Sequence, residues 1–136
     1  MASKILVTGG CGYIGSHTIV DLLQHGYEVI SVDNNSRSDL RMLNGIEAIT
    51  GKSVKNYGID LCDAVATEKV FLENPDIKGV IHFAAYKAVG ESVQHPIMYF
   101  QNNIQSLLNV LKSCETHHIR HFVFSSSCTV YGNPDE

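Results

Sequence analysis

Residues Lys4–His17 read KILVTGGCGYIGSH. Ile5-Leu6-Val7 is a short apolar run suited to a buried strand. The chain then turns through Gly9, Gly10, Gly12 and Gly15, and Ile14, Ile19, Leu22 and Leu23 follow at helical spacing. Strand, glycine-rich turn and helix is the arrangement a dinucleotide pyrophosphate requires. One glycine makes the tight turn, one lets the backbone approach the phosphates, and the last lets helix and strand pack closely. The helix N-terminus offers unpaired N–H groups and the positive end of its dipole to the anion. The expected contacts are Gly9, Gly12 and Gly15 with the backbone of Tyr13 and Ile14. The spacing is Gly9-x-x-Gly12-x-x-Gly15 rather than G-x-G-x-x-G. Glycine turns alone are common in loops; the strand before this one and the helix after it make the signal specific.

The next apolar run, Tyr27 to Val32, reads as a second strand and ends in Asp33-Asn34-Asn35-Ser36. Asp33 lies 18 residues beyond Gly15. A carboxylate there can accept hydrogen bonds from both adenosine ribose hydroxyls and repels a 2′-phosphate, which favours NAD over NADP. Asp, Asn and Ser also favour turns and helix N-caps, so the position after the strand carries the functional reading.

With 136 residues the chain fits one domain, here residues 1–136, with enough length for a real core. Its net charge of −4, without a basic cluster, argues against nucleic acid as a partner. No run of 18 apolar residues suggests a membrane span, and the N-terminus lacks the apolar region of a signal peptide. Cys11, Cys62, Cys114 and Cys128 form no C-x-x-C pair and fit no zinc spacing; reduced thiols in a cytoplasmic protein are expected. His117, His118 and His121 fall where a helix ends and a strand begins, and no metal site is assigned.

Further along, Leu40 to Ile49 reads as a helix stopped by Gly51, and Val54 to Ile59 as a weaker third strand. The latter leads into Asp60-Leu61-Cys62-Asp63. An Asp here either reaches the adenine edge or caps the helix from Ala64 to Leu72, and Asp63 suits the cap. Gly79 to Ala85 is a fourth strand with a small-residue exit, followed by Tyr86 and Lys87. Lys87 beside a cofactor could donate to ribose or phosphate, or be a solvated charge. One long helix is expected from near Ser92 to Cys114, with Pro96 in its first turn. Ile97, Phe100, Ile104, Leu107, Leu108 and Leu111 form its apolar face, widened by Met98, Tyr99, Val110 and Cys114. Asn102 and Asn103 are local hydrogen-bonders or cofactor contacts. His121 to Phe124 is a fifth strand ending in Ser125-Ser126-Ser127, with Ser127 the choice for the reacting centre. Five strands alternating with four helices imply a Rossmann-type, doubly wound α/β fold. Its parallel sheet has the order 3-2-1-4-5, with ligand at the carboxyl ends.

The motifs VTGGCGYIGSH, VDNNSRS, HFAAYKAVGESVQHP and FSSSCTVYG, in this order, resemble the N-terminal part of the UDP-glucose (UDP-galactose) 4-epimerase family. That family belongs to the extended short-chain dehydrogenase/reductases. The resemblance implies NAD as cofactor, a UDP-hexose as substrate and a homodimer when full length. It places Asp33, Asn34, Asn35, Ser36, Arg37 and Ser38 around the adenosine ribose, and Asp60 and Leu61 at the adenine. Phe83, Ala84, Ala85, Tyr86 and Lys87 line the cofactor, Asn102 contacts it, and Ser127 is catalytic, hydrogen-bonding the sugar O4. Ala85-Tyr86 and Cys128 depart from the Gly-Leu and Ala that many members carry.

One departure matters more. The superfamily's catalytic pair is Tyr-x-x-x-Lys, and none of the six tyrosines has lysine four residues on. The resemblance places that pair, and the substrate half, beyond Glu136. The chain is therefore expected to be an N-terminal fragment of an isomerase in galactose metabolism, inactive by itself. Two other readings stay open: another NAD-dependent nucleotide-sugar epimerase or dehydratase, and a non-catalytic NAD-binding sensor.

Overall fold

The computed structural model describes residues 2–127. Five strands form one parallel sheet: β1 (Lys4–Thr8), β2 (Glu28–Val32), β3 (Lys55–Tyr57), β4 (Ile77–His82) and β5 (His121–Phe124). Their order is β3-β2-β1-β4-β5, as the sequence implies. In the central β1, Leu6, Val7 and Thr8 are fully buried. Successive residues face opposite sides of the sheet. Leu6 accordingly joins Ile30, Val80, Phe71 and Val110 in one core, and Val7 joins Ile19, Leu23, Val29 and Ile46 in the other. A parallel sheet covered on both faces needs this unbroken apolar run in place of apolar–polar alternation.

The core around Val7 is closed by α1 (Tyr13–Gln24) and α2 (Arg41–Thr50), and the core around Leu6 by α3 (Ala64–Glu73) and α5 (Pro96–Thr116). Gly51 ends α2 in the left-handed conformation, φ 69°, as its expected stop. Asp63 caps α3: its Oδ1 accepts from the N–H groups of Val65 (2.9 Å) and Ala66 (3.0 Å), which resolves its role in favour of capping. Such a cap contributes about 1 kcal/mol.

The long helix expected from Ser92 is two helices, α4 (Val89–Gln94) and α5, so there are five helices among the described residues. Pro96 sits at the start of α5, and His95 before it adopts φ −130°, ψ 58°. The proline ring disfavours helical geometry in the preceding residue and removes one N–H, which separates the two helices. The expected apolar face of α5 also points elsewhere. Ile97 and Phe100 are 70% and 63% exposed, and Ile104, Leu108 and Leu111 are exposed as well. The buried stripe is Tyr99, Ser106, Asn109, Val110, Ser113 and Cys114. Boundaries shift as well: β3 is shorter than expected, β4 begins two residues before Gly79, and α5 runs two residues past Cys114. No described helix is long and apolar enough to cross a membrane.

Candidate functional site

At the carboxyl ends of the strands lies a cleft of about 820 Å³, within the usual range for small-molecule sites. It opens beside β1, where the chain crosses from the β1–β2 side of the sheet to the β4–β5 side, the switch point of an open α/β sheet. Its floor is the glycine turn. Gly9 has φ +68°, and a Cβ there would lie 2.9 Å from the Ala84 backbone nitrogen. A Cβ on Gly15 would run into the Gly9 carbonyl oxygen. The turn is pinned by Gly9 N–H to the Val32 carbonyl (2.8 Å) and Gly12 N–H to the Gly9 carbonyl (3.0 Å). No side chain caps the start of α1. Its first-turn N–H groups are thus available to an anion. Tyr13 and Ile14 line the cleft and are largely exposed, so Ile14 serves the cleft and only Ile19 and Leu23 of the expected apolar face are buried.

On one wall, the Asp33 carboxylate follows β2. Its Oδ2 accepts from the Cys11 N–H (3.0 Å), and its Oδ1 from the Asn35 N–H (2.9 Å) and the Ser38 hydroxyl (2.7 Å). The acid is therefore tied to the glycine turn and to its own loop, with an acceptor lone pair remaining on Oδ2. Asn34, Ser36, Arg37 and Ser38 line the same wall. Asn35 does not. It takes φ 57° and turns inward, its amide donating to Ser38 Oγ (3.2 Å). Asp60 and Leu61 close this end. Asn109 on α5 donates to the carbonyls of Leu61 (2.8 Å) and Cys62 (3.0 Å), fixing the Asp60–Cys62 turn.

The other wall is the exit of β4. Phe83, Ala84, Ala85, Tyr86 and Lys87 all line the cleft, as do Asn102 and Ser127. Among the described residues Lys87 makes no ion pair. The structure thus gathers every expected site residue except Asn35 around one cleft. Cys128 and the stretch to Glu136 lie outside the described residues.

Two residues support this wall: Asn103, which proves to be the local hydrogen-bonder, and His82, which the sequence did not single out. Asn103 clamps the Tyr86 peptide from both sides: its Oδ1 accepts from the Tyr86 N–H (2.7 Å) and its Nδ2 donates to the Tyr86 carbonyl (2.9 Å). Asn102, the expected contact, lies beside it and donates to the same Oδ1 (2.9 Å). His82, 2% exposed at the end of β4, sits against Phe122 and Phe124. Its Nδ1 lies 2.9 Å from the Thr8 hydroxyl, which accepts from the Ala84 N–H (3.2 Å). Burial pushes His82 down to about 4, so it is neutral near pH 7. A histidine in an apolar run was the only sequence signal for it. Among the described residues no three His, Cys, Asp or Glu side chains converge as a metal set.

The chain is similar to UDP-glucose 4-epimerases over nearly its whole length. The enzyme of Schizosaccharomyces pombe is 52% identical over 130 residues, which is 96% of this chain and 36% of that one. The Bacillus subtilis enzyme is 50% identical over 96% of this chain and 38% of its own. The crystal structure of the Bifidobacterium longum UDP-glucose 4-epimerase in complex with NAD+ and UDP superposes with a TM-score of 0.93 at 52% identity. That match covers 98% of this chain and 39% of the other. The chain thus spans less than two fifths of the length of these relatives. The glycine turn, the doubly wound sheet and the cleft agree with a match over residues 5–136, and the chain belongs to the NAD dependent epimerase/dehydratase family.

Proposed function

We propose that this chain is the N-terminal, NAD-binding part of a UDP-glucose 4-epimerase, and that it forms one incomplete domain over residues 1–136. The observation that carries this is the turn in which Gly9 and Gly15 leave no room for a side chain, set against the Asp33 carboxylate. A cradle that a Cβ would fill, next to uncapped N–H groups and a ribose-type acceptor, fits a dinucleotide pyrophosphate and its adenosine. The N–H groups of Tyr13 and Ile14 would hold the phosphates. Asp33, with Ser36, Arg37 and Ser38, would hold the adenosine ribose, and Asp60 and Leu61 the adenine. Phe83, Ala84, Ala85, Tyr86, Lys87 and Asn102 would receive the remainder. When bound, NAD supplies a reversible hydride acceptor for C4 of the sugar.

This chain's residues orient that chemistry and do not complete it. The Ser127 hydroxyl is proposed to hold the sugar O4 and pass its proton. The basic partner is expected from a Tyr-x-x-x-Lys pair, which none of the tyrosines here forms. The related structures name UDP and formylated UDP-arabinopyranose as ligands of those proteins, which supports a UDP-sugar substrate here. A homodimer and a cytoplasmic location complete the proposal. The exposed apolar face of α5 supports the first, and the free thiols of Cys11, Cys62 and Cys114 the second.

The test is conversion of UDP-galactose to UDP-glucose by the full-length protein, with NAD measured after denaturing the purified protein. A panel of UDP- and dTDP-sugars separates a 4-epimerase from other members of the family. Bound NAD without turnover of any of these sugars would replace the enzyme by a sensor; protein that neither carries nor takes up NAD would refute the site.

A further inference from the structure

The two walls of the cleft are joined by an ion pair that the glycine turn and Asp33 do not explain. Arg37, in the loop after β2, reaches Glu91 on α4, 54 residues away. The contact is two-pronged: Nη1 donates to Oε2 at 2.6 Å and Nη2 to Oε1 at 2.9 Å. The guanidinium also lies flat on Tyr86, 4.0 Å from the ring centroid. Arg37 and Tyr86 line opposite walls of the cleft, so the contact bridges it. Glu91 is itself held, since its Oε2 accepts from the Tyr99 hydroxyl (2.6 Å) and that hydroxyl accepts from the Ala88 N–H (3.1 Å). Planar pairing and stacking together make arginine's role here one that lysine could not fill.

We propose that Glu91 is a positioning residue for the cofactor: it holds Arg37 across the cleft as a strap, so that NAD leaves only when the Arg37–Glu91 pair opens. This rests on the reading of the cleft as a dinucleotide site. Both partners face solvent on one side, with side chains 43% and 32% exposed, so the pair can open without unfolding either element. The guanidinium holds Glu91 well below the usual carboxylate range, at about 2, so the strap is charged near pH 7. Salt is therefore what weakens it.

The experiment measures NAD dissociation from the full-length protein by displacement with excess labelled NAD, for wild type, Glu91→Gln, Arg37→Gln and the double variant, at low and high sodium chloride. The expected result is release about five- to tenfold faster in each single variant and no faster in the double. Wild-type release should also quicken with salt while that of Glu91→Gln does not. Melting temperatures close to wild type exclude a merely structural loss. Release from Glu91→Gln within twofold of wild type, or a double-variant rate equal to the product of the single effects, would overturn the strap while leaving the dinucleotide site intact. Wild-type protein that binds no NAD would overturn both.

Discussion

Gly15→Ala tests whether the glycine turn is as tight as its geometry indicates. The added methyl would collide with the Gly9 carbonyl oxygen and sit 2.9 Å from the Gly9 carbonyl carbon and 3.0 Å from the Gly10 Cα. All three are backbone atoms of a turn pinned to Val32 and Gly12, so none can swing aside as a side-chain tip would. Overpacking of this kind costs about 1–3 kcal/mol. Replacing a helical glycine by alanine returns about 1 kcal/mol; with three backbone clashes the cost falls toward the upper end of that range, which leaves a net loss of up to about 2 kcal/mol. Gly45→Ala is the matched control. Gly45 is also helical, and its Cβ would meet nothing within 4 Å, so only the gain of about 0.5–1 kcal/mol applies. Urea unfolding should therefore move the two midpoints in opposite directions. Shifting the turn also displaces the phosphate donors, and NAD affinity in Gly15→Ala should fall about tenfold, a loss of about 1.4 kcal/mol. A Gly15→Ala protein as stable as Gly45→Ala, with wild-type NAD affinity, would refute the close approach of α1 to the glycine turn.

His82 makes stability acid-sensitive. Its folded value of about 4 lies below the ordinary 6.5, so the unfolded chain binds a proton that the folded one does not between these values. Stability is full above about pH 6.5 and is lost on acidification toward pH 4, by on the order of 3 kcal/mol. Denaturant titrations across that window should show the loss in wild type and its absence in His82→Gln. Asn103→Ala removes both bonds to the Tyr86 peptide; isothermal titration should show NAD binding weakened about tenfold, from about 1–3 kcal/mol of lost hydrogen bonding. The 136-residue chain alone should show no conversion of UDP-galactose to UDP-glucose in a coupled assay, since no tyrosine in it is followed at four residues by lysine.

By itself the sequence determined the sheet and its order. Short strand-like runs, separated by helical periodicity, admit few arrangements once crossovers are right-handed. It also determined the glycine turn and Asp33, whose conformation and spacing are local properties. The faces and the long-range partners were decided by tertiary structure. Ile97, Phe100, Ile104 and Leu108 do share a face of α5, yet that face is exposed. The buried side takes Ser106, Asn109 and Ser113, because Ser113 donates to Glu68 on α3 and Asn109 satisfies the buried carbonyl of Leu61. The Thr8–His82 contact joins residues 74 apart and Arg37–Glu91 residues 54 apart, and no periodicity links such positions. They meet only because parallel strands bring all their carboxyl ends, and the loops that follow them, to one edge of the sheet.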